Sequence, residues 1–299
     1  MTELFVDEVV IVDWSAAASP KLGKDSIWIA HAATGKTPEL LDLVNVPTRS
    51  AATAWLEGVF EEAKRLRRHL VCGLDFSFGY PTGFSELFSQ AFPDYSTVLT
   101  PFERTVSVTE SLIADSPNND NNRFAAADLI NRRTGHALFW GHPPTRTFPS
   151  LSPTKATPQG LQPNPLRTLR RTDEGLGVQS NWQLTGAGAV GSQVLMGLPV
   201  LAHLRRSELS PKIWPFEHHG LDQTGGAVVL AEVWPSMFAH GEMTHAIRDA
   251  WQVEQTALAL AKLDPSEWAE LFAPRSWDSF SKQELEEILE EEGWILGKT

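Results

Sequence analysis

The sequence predicts an α/β protein whose mixed sheet opens with three antiparallel strands, continues with parallel ones and is flanked by helices. Three observations predict it. A β-branched run, Val9 to Val12, ends on Asp13 and is too short for a helix, so it reads as a strand buried on both faces. Two further strand-like segments follow, joined by short polar turns of the kind hairpins need. An amphipathic helix then leads into a second apolar run, and a strand–helix–strand order favours a parallel crossover.

The elements can be justified in chain order. After Asp13 comes a loop with Pro20 and Gly23, then an alternating strand over 26–33 and another over 39–46. Ser50 is expected to cap a helix over 51–69, with Ala52, Trp55, Leu56, Val59 and Phe60 on one face. LVCGLDFSFGYP, 70–81, carries the next buried strand, which ends on a second acid, Asp75. Residues 82–210 read as a helical and loop insertion. Helices are expected over 84–92, 101–115, 122–135 and 191–206, the last interrupted or kinked at Pro199. The stretch 142–167 is so rich in Pro, Ser and Thr that it reads as loop. Strands over 212–217 and 227–235 then flank HHGLDQTGG, and the second carries a third acid, Glu232. A helix over 244–263 has Asp249 near its start. QELEEILEEEGWILG reads as a solvated acidic helix closing on an apolar end.

Composition bounds the function. With 299 residues, 42% of them hydrophobic, the chain can bury a large core as one domain spanning 1–299. The acidic start MTELFVDE lacks the features of a signal peptide, and no stretch reaches the ~18 apolar residues of a membrane span. The expectation is a cytoplasmic protein with no membrane partner. Cys72, the single cysteine, excludes an internal disulfide framework and a cysteine-rich zinc site. A net charge of −12 argues against tight non-specific binding to nucleic acid, which relies on neutralising phosphates with Lys and Arg.

Three acids at the ends of apolar strands, and a fourth early in the following helix, suit a hard cation. Mg²⁺ or Mn²⁺ takes a few carboxylates plus water and substrate phosphate. A pair of such ions serves phosphodiester cleavage by activating water and stabilising the leaving oxygen. For any one acid taken alone, a helix cap or an ion pair is the commoner role. The case rests on the strand order, which brings the acids to one edge.

VDWSAA, GLDFSFGYP, AEVWPSMF and RDAWQVEQTALALA, in that order, resemble the motifs of an uncharacterised bacterial group of predicted ribonuclease H-like nucleases. In that group the first strand ends in Asp, the fourth reads Asp-x-x-x-Gly-x-Pro, a later strand reads Glu-Val-x-Pro, and an Asp opens the final helix. The matching positions are Asp13, Asp75, Glu232 and Asp249. The resemblance covers about half the chain. It implies a ribonuclease H-like sheet with a long insertion after the fourth strand, and a hydrolase using Mg²⁺ or Mn²⁺. Asp13, Asp75 and Glu232 would hold the metal, and Asp249 would complete the shell, with Glu254 in the same helix as its competitor. Substrates implied are nucleic acid or a small phosphorylated molecule.

Other residues enter as candidates. Asn131, Arg132 and Arg133 follow an apolar helical stretch, and arginines there can grip phosphate oxygens; cations also favour a helix C-terminus for its dipole alone. Trp140 and Trp182 sit beside glycines and polar groups, as in a ring-binding pocket or in core packing. Gly186, Gly188 and Gly191 form a Gly-x-Gly-x-x-Gly pattern, but no convincing strand precedes it, so it reads as a turn and helix start. The adjacent His218 and His219 do not have zinc-hydrolase spacing. Two other functions remain open: an ATP-dependent phosphotransferase of the related actin-like fold, and a non-catalytic binding or accessory protein.

Overall fold

A computed structural model describes residues 5–94, 99–217 and 226–298. The His218–His219 pair falls outside these ranges. Strands β1 (Glu8–Asp13), β2 (Ile27–Ala33) and β3 (Glu39–Val46) form an antiparallel meander. Helix α1 (Arg49–Leu66) then crosses to β4 (Leu70–Leu74), which pairs parallel to β1. The insertion carries α2 (Phe84–Ala91), α3 (Pro101–Leu112), α4 (Arg123–Thr134), a two-residue ladder of β5 (His136–Ala137) with β6 (Gln162–Pro163), and α5 (Gly191–Arg206). Strands β7 (Lys212–Ile213) and β8 (Val228–Glu232) close the main sheet, whose order is β3-β2-β1-β4-β8-β7. Helices α6 (Arg248–Ala261), α7 (Pro265–Phe272) and α8 (Lys282–Glu287) follow. The sheet is thus antiparallel on one side of β1 and parallel on the other, as the sequence predicts.

Two cores sandwich this sheet, and strand alternation decides which residue joins which. Val10, Val12, Cys72, Leu74, Val228 and Leu230 pack against α1 and the insertion helices. Val9, Ile11, Val71, Val229, Ala231 and Val233 pack against α6 and α7. Gly73 on β4 is needed for close approach on the second side, since a Cβ there would lie 2.5 Å from a Val233 methyl. Among the described residues no helix is long and apolar enough to cross a membrane.

Several boundaries differ from expectation for local reasons. Helix α1 is capped by the Thr48 hydroxyl, which accepts from Ala51 N–H at 3.1 Å, rather than by Ser50. It ends where Arg67 turns left-handed. Helix α5 continues through Pro199 to Arg206. The expected strand over 212–217 shrinks to two residues, because Pro215 has no N–H to extend the ladder.

The largest correction is the acidic tail. Instead of a solvated helix, α8 passes into a single π turn, Ile288–Glu292, and the chain turns inward. Glu291 accepts from the N–H groups of Gly83 at 3.0 Å and Ser85 at 2.6 Å, and so serves the start of α2. Glu292 is fully buried and accepts from Arg171 Nη1 and from Arg171 N–H, both at 2.7 Å. Ile295 then pairs with Glu232 on the sheet, and Trp294 and Leu296 join the α6-side core. Glu–Glu pairs look solvated in a sequence, but these two find donors far away in the chain.

Candidate acidic site at the sheet edge

The site forms where β1 and β4 end side by side. Asp75 donates its backbone N–H to Val12 O at 2.9 Å, which sets the two strand ends level. Asp13 has the parity of Val9 and Ile11 and belongs to the α6 side of the sheet. Helix α6 buries Ala250, Trp251 and Val253 against that side and brings Asp249, in its first turn, over the same edge.

The electrostatics place these carboxylates together. Burial, then the charges of Asp75, Asp249 and Asp25, push Asp13 well above the usual carboxylate range. Burial, then Glu232 and Asp249, raise Asp75 to about 7. Asp249, rather than Glu254, is thus the α6 acid that acts on both. Among the described residues neither Asp13 nor Asp75 receives a side-chain or backbone donor. Two like charges in a partly enclosed site, without a cationic partner, keep a proton or take up a cation.

Asp25 is a fourth member that the sequence reading missed. It lies in the β1–β2 hairpin loop, its N–H donates to Asp249 Oδ2 at 2.7 Å, and its backbone is left-handed at φ +54°. That hydrogen bond ties the hairpin loop to α6, and among the described residues Asp249 Oδ1 has no hydrogen-bond partner. No apolar strand leads up to Asp25, so the pattern that marked the other acids was absent.

Glu232 stands differently. Its parity is that of Val228 and Leu230, so its side chain leaves the sheet on the insertion side. Both oxygens are engaged: Arg170 Nη2 donates to Oε1 at 2.6 Å and Nη1 to Oε2 at 2.7 Å, and Phe78 N–H donates to Oε2 at 3.0 Å. Arg170 is buried and is held from its other side by Asp173, at 3.0 and 2.7 Å. Burial pushes Glu232 upward, against the pull of Arg170. Glu232 is close enough to raise Asp75, but its lone pairs are spent on Arg170.

The other candidates lie apart. Asn131 is buried; it donates to Phe139 O and Ser150 O, both at 2.8 Å, and accepts from Phe139 N–H at 2.9 Å. Its amide anchors a loop and has little capacity left for a phosphate. Arg132 and Arg133 are exposed on the last turn of α4, and Arg133 covers the Phe92 ring at 4.8 Å. Trp182 stacks on Tyr80 with centroids 4.9 Å apart and donates to Arg167 O at 3.0 Å. Trp140 borders a cavity of about 200 Å³ within the insertion, away from the acids. Gly191 opens α5, and a Cβ there would lie 2.3 Å from Asn181 O, so the glycine serves close packing.

Arg49 is the second residue missed. It is buried at the start of α1, where Nη1 donates to Ser15 O at 3.0 Å and to Ala17 O at 2.8 Å. Its Nε and Nη2 grip Asp115, both at 2.6 Å. Asn119 adds bonds to Arg49 N–H at 2.9 Å and Ser19 O at 3.3 Å. The loop that follows Asp13 is therefore fastened to the insertion.

The carboxylate oxygens here are of the kind a hard divalent cation takes, with no sulfur or imidazole among them, but among the described residues no group of three or more acids, histidines or cysteines is placed to hold a metal ion. Comparison with protein-family models, curated proteins and solved structures found no match for this chain.

Proposed function

We propose that the chain is a divalent-metal-dependent phosphodiester hydrolase of ribonuclease H-like architecture, with Mg²⁺ or Mn²⁺ as its cofactor. One observation carries the reading. Asp13, Asp75 and Asp249, from three separate elements, share one sheet edge, and among the described residues no cationic side chain neutralises Asp13 or Asp75. Left alone, that arrangement costs stability; with a cation it becomes a site. The order of three antiparallel strands followed by parallel β4 and β8 supports the architecture.

Asp13, Asp75 and Asp249 would hold the ion, and Asp25 would orient Asp249 through its N–H. A bound divalent ion there supplies Lewis acidity and an activated water. Without an ion, burial and the neighbouring carboxylates hold Asp75 at about 7, so metal binding there would compete with a proton. Glu232 and Arg170 act behind this group by fixing the backbone of 77–78 through Phe78 N–H. In this reading Glu232, expected from the sequence to hold the metal with Asp13 and Asp75, takes a supporting role.

The test is a Mn²⁺ titration of the full chain followed by thermal unfolding, with phosphodiester cleavage assayed in parallel. Saturating Mn²⁺ is expected to raise the Tm of the wild type, and Asp13→Asn is expected to lose both the shift and the cleavage while remaining folded. An Asp13→Asn protein that cleaves as fast as wild type would sink the reading.

A further inference from the structure

The Pro-rich loop of the insertion encloses a cavity of about 450 Å³, bordered by His142, Arg146, Phe148, Leu151 and four prolines. None of Asp13, Asp75, Asp249 and Glu232 borders it. We propose that this cavity binds a small single-ring organic acid, with its carboxylate on Arg146 and a hydroxyl at its far end donating to His142 Nε2. The proposal is independent of the acidic edge and needs no ion.

The walls are set before any ligand arrives. Ser150, in the middle of the loop, donates its N–H to Asp128 Oδ1 at 2.6 Å, and its carbonyl accepts from Asn131 Nδ2 at 2.8 Å. The Ser152 carbonyl accepts from Gly141 N–H at 2.7 Å. Pro144, Pro149, Pro153 and Pro158 fix φ along the rest of the wall, so little order remains to be imposed on binding. The volume falls within the roughly 300–1,000 Å³ typical of small-molecule sites.

Charge selects an anion. In a chain of net charge −12, residues 121–172 hold eight Lys or Arg and one acid, Asp128, which forms no ion pair among the described residues. The Arg146 guanidinium lies over Phe148 at 5.1 Å and Phe124 at 5.8 Å, and among the described residues it has no hydrogen-bond or ion-pair partner. Arg123 covers the same Phe124 ring at 4.4 Å and is held only by neutral acceptors, Ser192 Oγ at 3.0 Å and Asn121 Oδ1 at 2.7 Å. Burial, then the charges of Arg49 and Arg146, push Arg123 down to about 10. Two guanidinium groups against one ring, with no carboxylate between them, make a field that an anion relieves. Only Arg146 borders the cavity, and one planar guanidinium matches one carboxylate through two parallel bonds.

His142 supplies the second polar contact. It is only 9% exposed, and its Nδ1 lies 2.9 Å from Pro143 O. A carbonyl oxygen only accepts, so the neutral ring carries its hydrogen on Nδ1, and Nε2 is an acceptor. Nε2 has no partner among the described residues. The His142 ring centre is 5.4 Å from that of Phe148, the ring that Arg146 also covers, so a ligand of single-ring length can reach both groups. Phe148, Leu151 and the prolines leave the space between them apolar, which suits the body of such a ring.

The experiment is isothermal titration of the full chain in EDTA with para-hydroxybenzoate, benzoate, para-hydroxybenzyl alcohol and phenyl phosphate. The hydroxybenzoate is expected to bind about tenfold or more tightly than the neutral alcohol, the discrimination of one charge-assisted contact, and about threefold more tightly than benzoate. Arg146→Gln, at an exposed position, is expected to lose the first factor. His142→Asn keeps a donor near the Nδ1 position, removes Nε2, and is expected to lose the second factor alone. No binding of either benzoate, equal affinity for the alcohol, tighter binding of phenyl phosphate, or an unchanged hydroxybenzoate affinity in Arg146→Gln overturns the proposal. Because EDTA removes divalent ions, none of these outcomes bears on the metal-dependent reading.

Discussion

Arg170 and Glu232 meet through two parallel hydrogen bonds at 2.6 and 2.7 Å, with both side chains out of solvent. The geometry is the bidentate fork in which guanidinium and carboxylate match best. It makes Glu232 the anchor of the insertion on the sheet, in contrast with Asp13 and Asp75 nearby, which have no ion-pair partner among the described residues.

A first prediction separates anchor from ligand. Glu232→Gln is expected to keep Mn²⁺ affinity within about twofold of wild type, while Asp75→Asn weakens it by about tenfold or more. Arg170→Met leaves the Glu232 and Asp173 carboxylates enclosed without their counter-charge and is expected to cost about 3–5 kcal/mol. Urea unfolding of the three variants, with Mn²⁺ titrations on those that fold, checks this. Equal losses of metal affinity in Glu232→Gln and Asp75→Asn would return Glu232 to the metal shell.

The raised carboxyls give stability a definite pH trend. Asp75 is held at about 7 in the folded chain, against 3.8 for the free side chain. Between those values the folded state keeps a proton that the unfolded state has released. Unfolding free energy therefore falls as pH rises from about 4 to about 7 and levels off above. Asp75 contributes about 2 kcal/mol to the drop, less than the full shift because water reaches part of the carboxylate. Denaturation in EDTA at pH 5 and pH 8 is expected to show this drop in wild type and a smaller one in Asp75→Asn. Saturating Mn²⁺ at pH 8 is expected to restore the loss, because the ion binds the deprotonated group.

Arg49 is expected to act on the site without touching it. Arg49→Met removes the donors to Ser15 O and Ala17 O and leaves Asp115 without its partner, at a cost of about 2–3 kcal/mol. Amide exchange over residues 14–19 is expected to speed up in this variant, and Mn²⁺ affinity to fall while α6 stays protected. Unchanged exchange in that loop would show that the fastening is redundant.

Gly79 reports on the tail. A Cβ there would lie 2.1 Å from Glu291 O and 2.7 Å from Glu292 O, both backbone atoms that cannot swing aside. Gly79→Ala is expected to lift the 288–296 segment, costing about 2–3 kcal/mol. Limited proteolysis should then cut near the α8 end faster than in wild type. Equal cleavage rates would mean that the tail shifts without detaching.

Much of the frame was legible in the sequence because its signals are local. The β-branched run at Val9–Val12, the apolar run at Leu70–Leu74 and the spacing of Ala52, Leu56 and Phe60 each state a period that only one kind of element satisfies. Asp13, Asp75 and Asp249 could be picked out because each follows or opens such an element. Glu232 stands in a strand buried on both faces, where no polar alternation tells which side a residue takes. Asp25 lies in a loop without a periodic pattern. Arg49, Arg170, Glu291 and Glu292 looked like ordinary surface charges, because their partners are brought to them by the folded chain rather than by neighbouring residues.

The Arg170 cluster also sets an order of events during synthesis. Its guanidinium meets Asp173 only three residues on, but its other partners come much later: Glu232 follows 62 residues after it and the Glu292 carbonyl 122 residues after it. Until then the Arg170–Asp173 pair has no acceptor for Nη1, and burying it in that state is costly. The insertion side of the sheet must therefore stay open while β1 to β4 are already made. A stalled or shortened chain would expose that face to chaperones and to aggregation.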